Sequence, residues 1–121
     1  APAPIENFIN EHEAIELSCV SGVGQPAAYA MVVLAEHLRP KMQDPAVRAE
    51  LTKTLTEWLA VVNRHVAEYE RLQMFVVAAA PWSIESETLT PTMKIKRSRI
   101  EAMAAPQVEA WYAAGAQVIW Q

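Results

Sequence analysis

Apolar residues recur with a helical period in two well-separated stretches of the chain. Pro4 is followed by Ile5, Phe8, Ile9 and His12 at helical spacing, which predicts a short amphipathic helix. A second helix is predicted to start at Asp44-Pro45, an N-cap with proline at the first helical position. Its apolar face is formed by Leu51, Leu55, Trp58, Leu59, Val62, Val66 and Tyr69. Both helices are expected to cover a sheet.

Three other stretches are rich in branched apolar residues and predict strands. Residues 15–20 and 27–34 flank a turn of residues 22–26 that contains two glycines and a proline, which is typical of a β-hairpin. Residues 73–80 form the third predicted strand, which ends at Pro81-Trp82. Residues 84–92 are expected to be extended or turn-like.

The C-terminal part of the chain is predicted to contain two packing helices. The first has Ile95, Arg99, Ile100 and Met103 in a basic-then-apolar order, and Pro106 is expected to start the second, whose apolar residues are Val108, Trp111 and Tyr112. Strands and helices therefore alternate unevenly. This pattern predicts one α+β domain over residues 1–121, with a small, mainly three-stranded sheet and helices packed on it.

Charge and cysteine content exclude several classes of protein. A net charge of −4 argues against a nucleic-acid partner, because such binders carry a basic surface. Cys19 is the only cysteine, and His12, His37 and His65 are dispersed, so neither a disulfide framework nor a metal site is predicted. No apolar run is long enough for a transmembrane segment. A cytoplasmic protein is expected, with any peripheral membrane association coming from another domain.

The most informative stretch is Leu89-Thr90-Pro91-Thr92-Met93-Lys94-Ile95-Lys96-Arg97. Thr90, Pro91 and Thr92 stiffen the backbone, so Lys94 is expected where a loop passes into a helix. A lysine held in this way can place its charge between two anions. Spacing alone also fits a set of solvated basic residues on an exposed turn.

This stretch resembles the last conserved motif of AMP-forming acyl-CoA synthetases, and its Leu-Thr-Pro-Thr form is similar to the long-chain fatty acyl-CoA synthetase branch. Residues 1–7, Ala-Pro-Ala-Pro-Ile-Glu-Asn, and residues 18–22 followed by the apolar residues 30–34 agree with that branch. Two positions depart from the pattern. Ser86-Glu87-Thr88 replaces the usual glycine-containing turn, and Met93 stands where a glycine usually precedes the lysine.

The resemblance implies that the chain is the C-terminal mobile (lid) domain of a long-chain fatty acid–CoA ligase, and that Lys94 is its catalytic adenylation lysine. ATP, Mg²⁺ and CoA are then expected as cofactors and substrates of the intact enzyme, together with a fatty acid, and the partner would be an N-terminal adenylation domain of the same enzyme. The chain begins without methionine, so it is expected to be an excised or processed piece that is inactive alone.

Further residues have open interpretations. Arg97 could contact phosphate or hold the motif against Glu101, and Glu6 could pair with the absent domain or favour a helix N-terminus. Gly22 and Gly24 could contact the pantetheine arm or phosphates of CoA, or could form a plain hairpin turn. Two alternatives for the whole chain are an independent interaction or regulatory module with the same fold, and a ligase for a different carboxylic acid.

Overall fold

A four-stranded sheet lies at the centre of the computed structural model, which describes residues 1–121. The strands β1 (Ile15–Ser21), β2 (Ala28–Leu34), β3 (Leu72–Val77) and β4 (Val118–Trp120) are neighbours in that order. β1 and β2 form the predicted antiparallel hairpin, whereas β3 and β4 each run parallel to the preceding strand. The predicted α+β class is confirmed, with one strand more than expected.

Three helices cover both faces of this sheet: α1 (Pro2–Ile9), α2 (Pro45–His65) and α3 (Arg97–Ala114). Short 3₁₀ helices at Arg39–Lys41 and Glu68–Glu70 flank α2. The helices α1 and α2 pack on one face and α3 packs on the other. None of the helices combines the length and apolar character needed to cross a membrane.

Helices on both faces explain why β2 is apolar at almost every position. Ala30, Val32 and Leu34 belong to the core under α1 and α2, while Tyr29, Met31 and Val33 belong to the core under α3. Successive side chains of a strand point to opposite faces, so a strand covered on both faces needs a continuous apolar run.

Asp44 caps α2 as predicted. Its Oδ1 accepts hydrogen bonds from the backbone N of Ala46 at 2.9 Å and of Val47 at 3.4 Å. The helix ends earlier than its apolar pattern indicated, because the backbone becomes extended at Val66. Tyr69, predicted on the buried face of α2, instead lies in the following 3₁₀ helix and is 88% exposed.

The C-terminal part differs from the prediction in two ways. One continuous helix, α3, replaces the two expected helices, and Pro106 lies inside it. Proline removes one hydrogen bond, to the carbonyl of Ala102, and both residues are exposed, so water can replace that bond. β4 was not predicted, because a strand of three residues leaves little periodic signal. The third strand also ends at Val77 rather than at residue 80.

Candidate functional site

Lys94 lies on a tight hairpin between β3 and α3. Leu89 and Ile95 form an isolated antiparallel bridge at its base, and the backbone N of Thr90 donates to the carbonyl O of Lys94 at 2.8 Å. The backbone N of Met93 donates to the carbonyl O of Thr90 at 2.8 Å, which closes a turn with Pro91 at its second position. α3 begins three residues after Lys94, so the predicted position between loop and helix is confirmed.

Met93 adopts the left-handed backbone conformation, with a φ of 65°. This explains why a glycine is expected before the lysine, since glycine adopts a positive φ without steric cost. The Thr90 side chain supports the turn, because its Oγ1 accepts a hydrogen bond from the backbone N of Lys94 at 3.1 Å. The chain therefore keeps the turn without its usual glycine, at some cost in strain.

We expect Met93→Gly to stabilise the fold by up to about 1 kcal/mol, since it removes a left-handed non-glycine residue. Met103 is a matched control, because it is similarly exposed (50% against 59% for Met93) and lies inside α3. Met103→Gly is expected to destabilise the fold by about 1 kcal/mol. Urea unfolding of both variants checks the opposite signs, and destabilisation by Met93→Gly would contradict the turn geometry.

The ammonium group of Lys94 has no partner within the chain. The side chain is exposed, and the two ion pairs of the chain, Arg39–Glu16 and Arg97–Glu6, leave it without a carboxylate. Beside it lies an open cleft of about 530 Å³, whose walls include Met93, Lys94 and Ile95 of the hairpin together with α1 and β1 residues. A cation in this position is free to contact anions that another domain or a ligand brings to it.

Arg97 at the start of α3 is bound to α1 and to β1. Its Nη1 donates to Oε2 of Glu6, and its Nη2 donates to Oε1 of Glu6 at 3.0 Å. The Nη1 also donates to the carbonyl O of Val20 at 2.8 Å. The Oε2 of Glu6 also accepts a hydrogen bond from the backbone N of Val20, at 2.7 Å. The Glu6–Arg97 pair therefore satisfies both outward-facing backbone groups of Val20 on edge strand β1.

Two expectations about this region were wrong in detail. Arg97 pairs with Glu6 rather than with Glu101. Glu6 therefore has its ion-pair partner within the chain rather than in an absent domain. The hydrogen bond to Glu6 raises the pKa of Arg97, so the guanidinium stays positively charged. Contact of Arg97 with phosphate stays a prediction. Nearby, burial raises the pKa of the Cys19 thiol to about 11, which keeps it protonated and unreactive.

Three hydroxyl side chains, Ser83, Ser86 and Thr88, form a hydrogen-bonded cluster directly before the hairpin. Ser86 Oγ lies 2.9 Å from Ser83 Oγ and 2.7 Å from Thr88 Oγ1. The backbone N of Ser83 donates to Thr88 Oγ1 at 2.8 Å. This hydroxyl cluster occupies the place of the glycine-containing turn, and sequence reasoning missed it. The only sequence signal is the spacing of the three residues between Pro81 and Leu89.

Gly22 and Gly24 lie in the β1–β2 turn and have different surroundings. Both have a positive φ, 123° and 85° respectively. A Cβ on Gly22 would lie 2.9 Å from the Cα of Ala28 and 3.1 Å from the hydroxyl O of Tyr112, whereas nothing lies within 4 Å of one on Gly24. Glu101 and Glu109 line an adjoining cavity of about 400 Å³. Carboxylates there disfavour phosphate on that side of the turn.

Gly22→Ala is therefore expected to destabilise the fold by about 2–3 kcal/mol, because steric overlap adds to backbone strain. Gly24→Ala has only the strain and is expected to cost about 1–2 kcal/mol. Thermal unfolding of both variants measures the difference. Equal losses would show that the space around Gly22 does not matter.

No metal-binding group is present among these residues. Nowhere in the chain do three or more His, Cys, Asp or Glu side chains come close enough to hold a metal ion. His12 and His65 both lie near the α1–α2 contact but pack on different aromatic rings. The His65 ring stacks on that of Phe8, with 3.8 Å between the ring centroids, whereas the His12 ring meets that of Trp58 edge-on, with 5.2 Å between the centroids.

One family of protein domains matches almost the whole chain. The family described as the AMP-binding enzyme C-terminal domain matches residues 1–116, which includes the hairpin, the Glu6–Arg97 pair and the glycine turn. The chain belongs to this family. The match covers nearly the whole of the described fold. No curated protein matches the chain.

Solved structures show the same fold for this C-terminal domain. The adenylation domain of a carboxylate reductase from Mycobacterium chelonae has a TM-score of 0.76 at 21% identity over 92% of this chain. The A-PCP didomain of carboxylic acid reductase from Segniliparus rugosus, in complex with AMP, has a TM-score of 0.70 at 23% identity over 94%. Brucella canis acyl-CoA synthetase has a TM-score of 0.57 at 22% identity over 91%. This chain spans only 17%, 16% and 18% of those three chains, in the same order.

Proposed function

We propose that residues 1–121 act as the mobile C-terminal domain of an AMP-forming acid–CoA ligase, and that Lys94 is its adenylation lysine. The longer protein is called the parent enzyme below. The observation that carries the proposal is the unpartnered Lys94 ammonium on a hydrogen-bonded hairpin, in a chain that belongs to the AMP-binding enzyme C-terminal domain family.

The proposed reaction has two steps. In the first, a substrate carboxylate oxygen attacks the α-phosphorus of ATP, which forms an acyl-adenylate and releases pyrophosphate. In the second, the thiol of CoA attacks the acyl carbon, which forms the thioester and releases AMP. Lys94 serves the first step, because two anions must approach each other while charge moves toward pyrophosphate, and a preorganised cation offsets their repulsion. ATP and Mg²⁺ are expected to be held mainly by the N-terminal adenylation domain.

Alternation between two poses would give this domain a role in both steps. A hinge upstream of Ala1 would bring Lys94 to the active site for adenylation and withdraw it for thioester formation. Closure of this kind assembles a charge constellation only when the substrate is bound. For the turn with Gly22 and Gly24, we propose contact with the uncharged pantetheine arm of CoA, since Glu101 and Glu109 lie beside that turn.

A long-chain fatty acid is the proposed substrate, and the support for it is the Leu89-Thr90-Pro91-Thr92 form of the motif. Acid selection would take place in the parent enzyme's other domain, so a ligase for a different carboxylic acid is the direct competitor. Profiling the parent enzyme with acids of increasing chain length separates the two. A kcat/KM that rises with chain length into the long-chain range supports the proposal, because each buried methylene adds binding energy. Highest kcat/KM for a short or aromatic acid favours the competitor.

The test of the domain's role uses three proteins: this chain, the parent enzyme without residues 1–121, and the two mixed or fused. Fatty-acid-dependent exchange between ATP and pyrophosphate is measured for each. Exchange only in the mixture or fusion supports the mobile-domain proposal. No exchange on fusion would favour an independent interaction module.

A further inference from the structure

The hydroxyl cluster is connected directly to the hairpin that carries Lys94. Thr88 is 1% exposed, and its Oγ1 bonds back to Ser83 and Ser86. Its carbonyl O accepts a hydrogen bond from the backbone N of Lys96 at 2.9 Å. One buried residue therefore joins the preceding loop to the strand of the hairpin that contains Lys94.

The loop around Thr88 is held in a conformation that its sequence does not favour. Glu87 has a φ of 62°, in the left-handed region. Glu87 and Met93 are thus two left-handed residues, one before and one after the segment Leu89–Thr92. Such conformations persist only where the surroundings fix them. The exposed Glu87 side chain makes no hydrogen bond, but its backbone N donates to the carbonyl O of Ile84 at 3.0 Å. The side-chain contacts that fix the turn come from its neighbours: the Thr88 hydroxyl bonds within the cluster, and Arg99 Nε donates to the carbonyl O of Ser86 at 3.3 Å.

We propose that Thr88 is a positioning residue for Lys94: its buried hydroxyl fixes the strained turn before the hairpin and so sets the direction of the Lys94 side chain during adenylation. This inference rests on the proposed function of Lys94. Holding a reacting group in place matters because a displacement of about 1 Å can cost on the order of 100-fold in rate.

The test compares half-reactions in the parent enzyme. Thr88→Val keeps the side chain's shape and removes its hydroxyl, and it is expected to lower the kcat of acid-dependent ATP–pyrophosphate exchange about 10- to 100-fold. Thioester formation from added acyl-adenylate and CoA should be unchanged, because Lys94 does not serve that step. Thr88→Ser restores the hydroxyl and should restore the exchange rate.

Thr56→Val is the matched control. Its hydroxyl donates to a backbone carbonyl, that of Thr52 at 2.7 Å, just as the Thr88 hydroxyl donates to that of Ser83 at 3.2 Å. Thr56 lies in α2, however, which packs on the face of the sheet opposite α3. Its exchange rate should stay within about twofold of the wild type. If Thr88→Val does not fold, Ser86→Ala serves instead. It removes the 2.7 Å contact with Thr88 at a half-buried position and should also lower exchange selectively.

Two outcomes overturn the inference: exchange by Thr88→Val (or by Ser86→Ala) within about twofold of the wild type, or an equal fall in both half-reactions. The second would show general loss of structure. Lys94→Ala distinguishes these failures from failure of the proposed function. If Lys94→Ala abolishes exchange while Thr88→Val does not, only the positioning role is wrong. If Lys94→Ala retains exchange, the proposed function itself is wrong.

Discussion

Lys94→Ala in the parent enzyme is expected to slow acid-dependent ATP–pyrophosphate exchange by about 100- to 1,000-fold, the usual loss when one preorganised charge contact is removed. The physical reason is that Lys94 is exposed, has no internal partner and lies on a hydrogen-bonded turn. Folding should be unaffected, because the exposed side chain makes no hydrogen bond or ion pair within the chain. Steady-state exchange and thermal unfolding together check the rate and the fold.

Lys96→Ala is the matched control for this prediction. Lys96 is also an exposed lysine on the same segment, two residues further on, and contributes its backbone N rather than its side chain to the fold. Its exchange rate should stay within about threefold of the wild type. Equal losses for the two variants would mean that the basic character of the segment matters rather than Lys94 itself.

Arg97→Met is expected to have the largest effect on stability, a loss of about 2–4 kcal/mol. The substitution would leave the buried Glu6 carboxylate without its cation and the carbonyl O of Val20 without a donor. The estimate is below that for a fully buried pair, because the Arg97 side chain is 30% exposed. Urea unfolding of the chain measures the loss.

The other ion pair of the chain, Arg39–Glu16, provides the comparison. Its carboxylate is 45% exposed, whereas that of Glu6 is 8% exposed. Arg39→Met should cost about 1 kcal/mol or less, because exposed pairs contribute little. Comparable losses for Arg39→Met and Arg97→Met would contradict the structural role given to the Glu6–Arg97 pair.

Local signals in the sequence predicted most of the fold. Three signals each depend on only a few neighbouring residues: the Asp44-Pro45 cap, the glycine turn and the continuous apolar run at residues 27–34. Each of the three predictions was confirmed. Errors arose where tertiary contacts override local preference. Ile100 and Ala104 before Pro106 and Trp111 after it all belong to the core on one face of the sheet, so the helix continues through the proline. β4 forms because β3 offers it an edge.

The site was predicted in part. The position of Lys94 before α3 follows from the Thr-Pro-Thr segment, whereas its catalytic role stays a prediction. The Glu6–Arg97 contact joins residues 91 positions apart, and no local pattern indicates such a pairing. The hydroxyl cluster was missed because serine and threonine are common in loops, and only the fold shows which hydroxyl groups are buried.

The most direct test of the central claim measures both half-reactions on one variant of the parent enzyme, Lys94→Ala. Acyl-adenylate formation is followed by pyrophosphate release in a single turnover, and thioester formation is followed from supplied acyl-adenylate and CoA. We predict that the first rate falls about 100-fold or more while the second stays near that of the wild type. Wild-type rates in both steps, or equal losses in both, would contradict a role for Lys94 in adenylation.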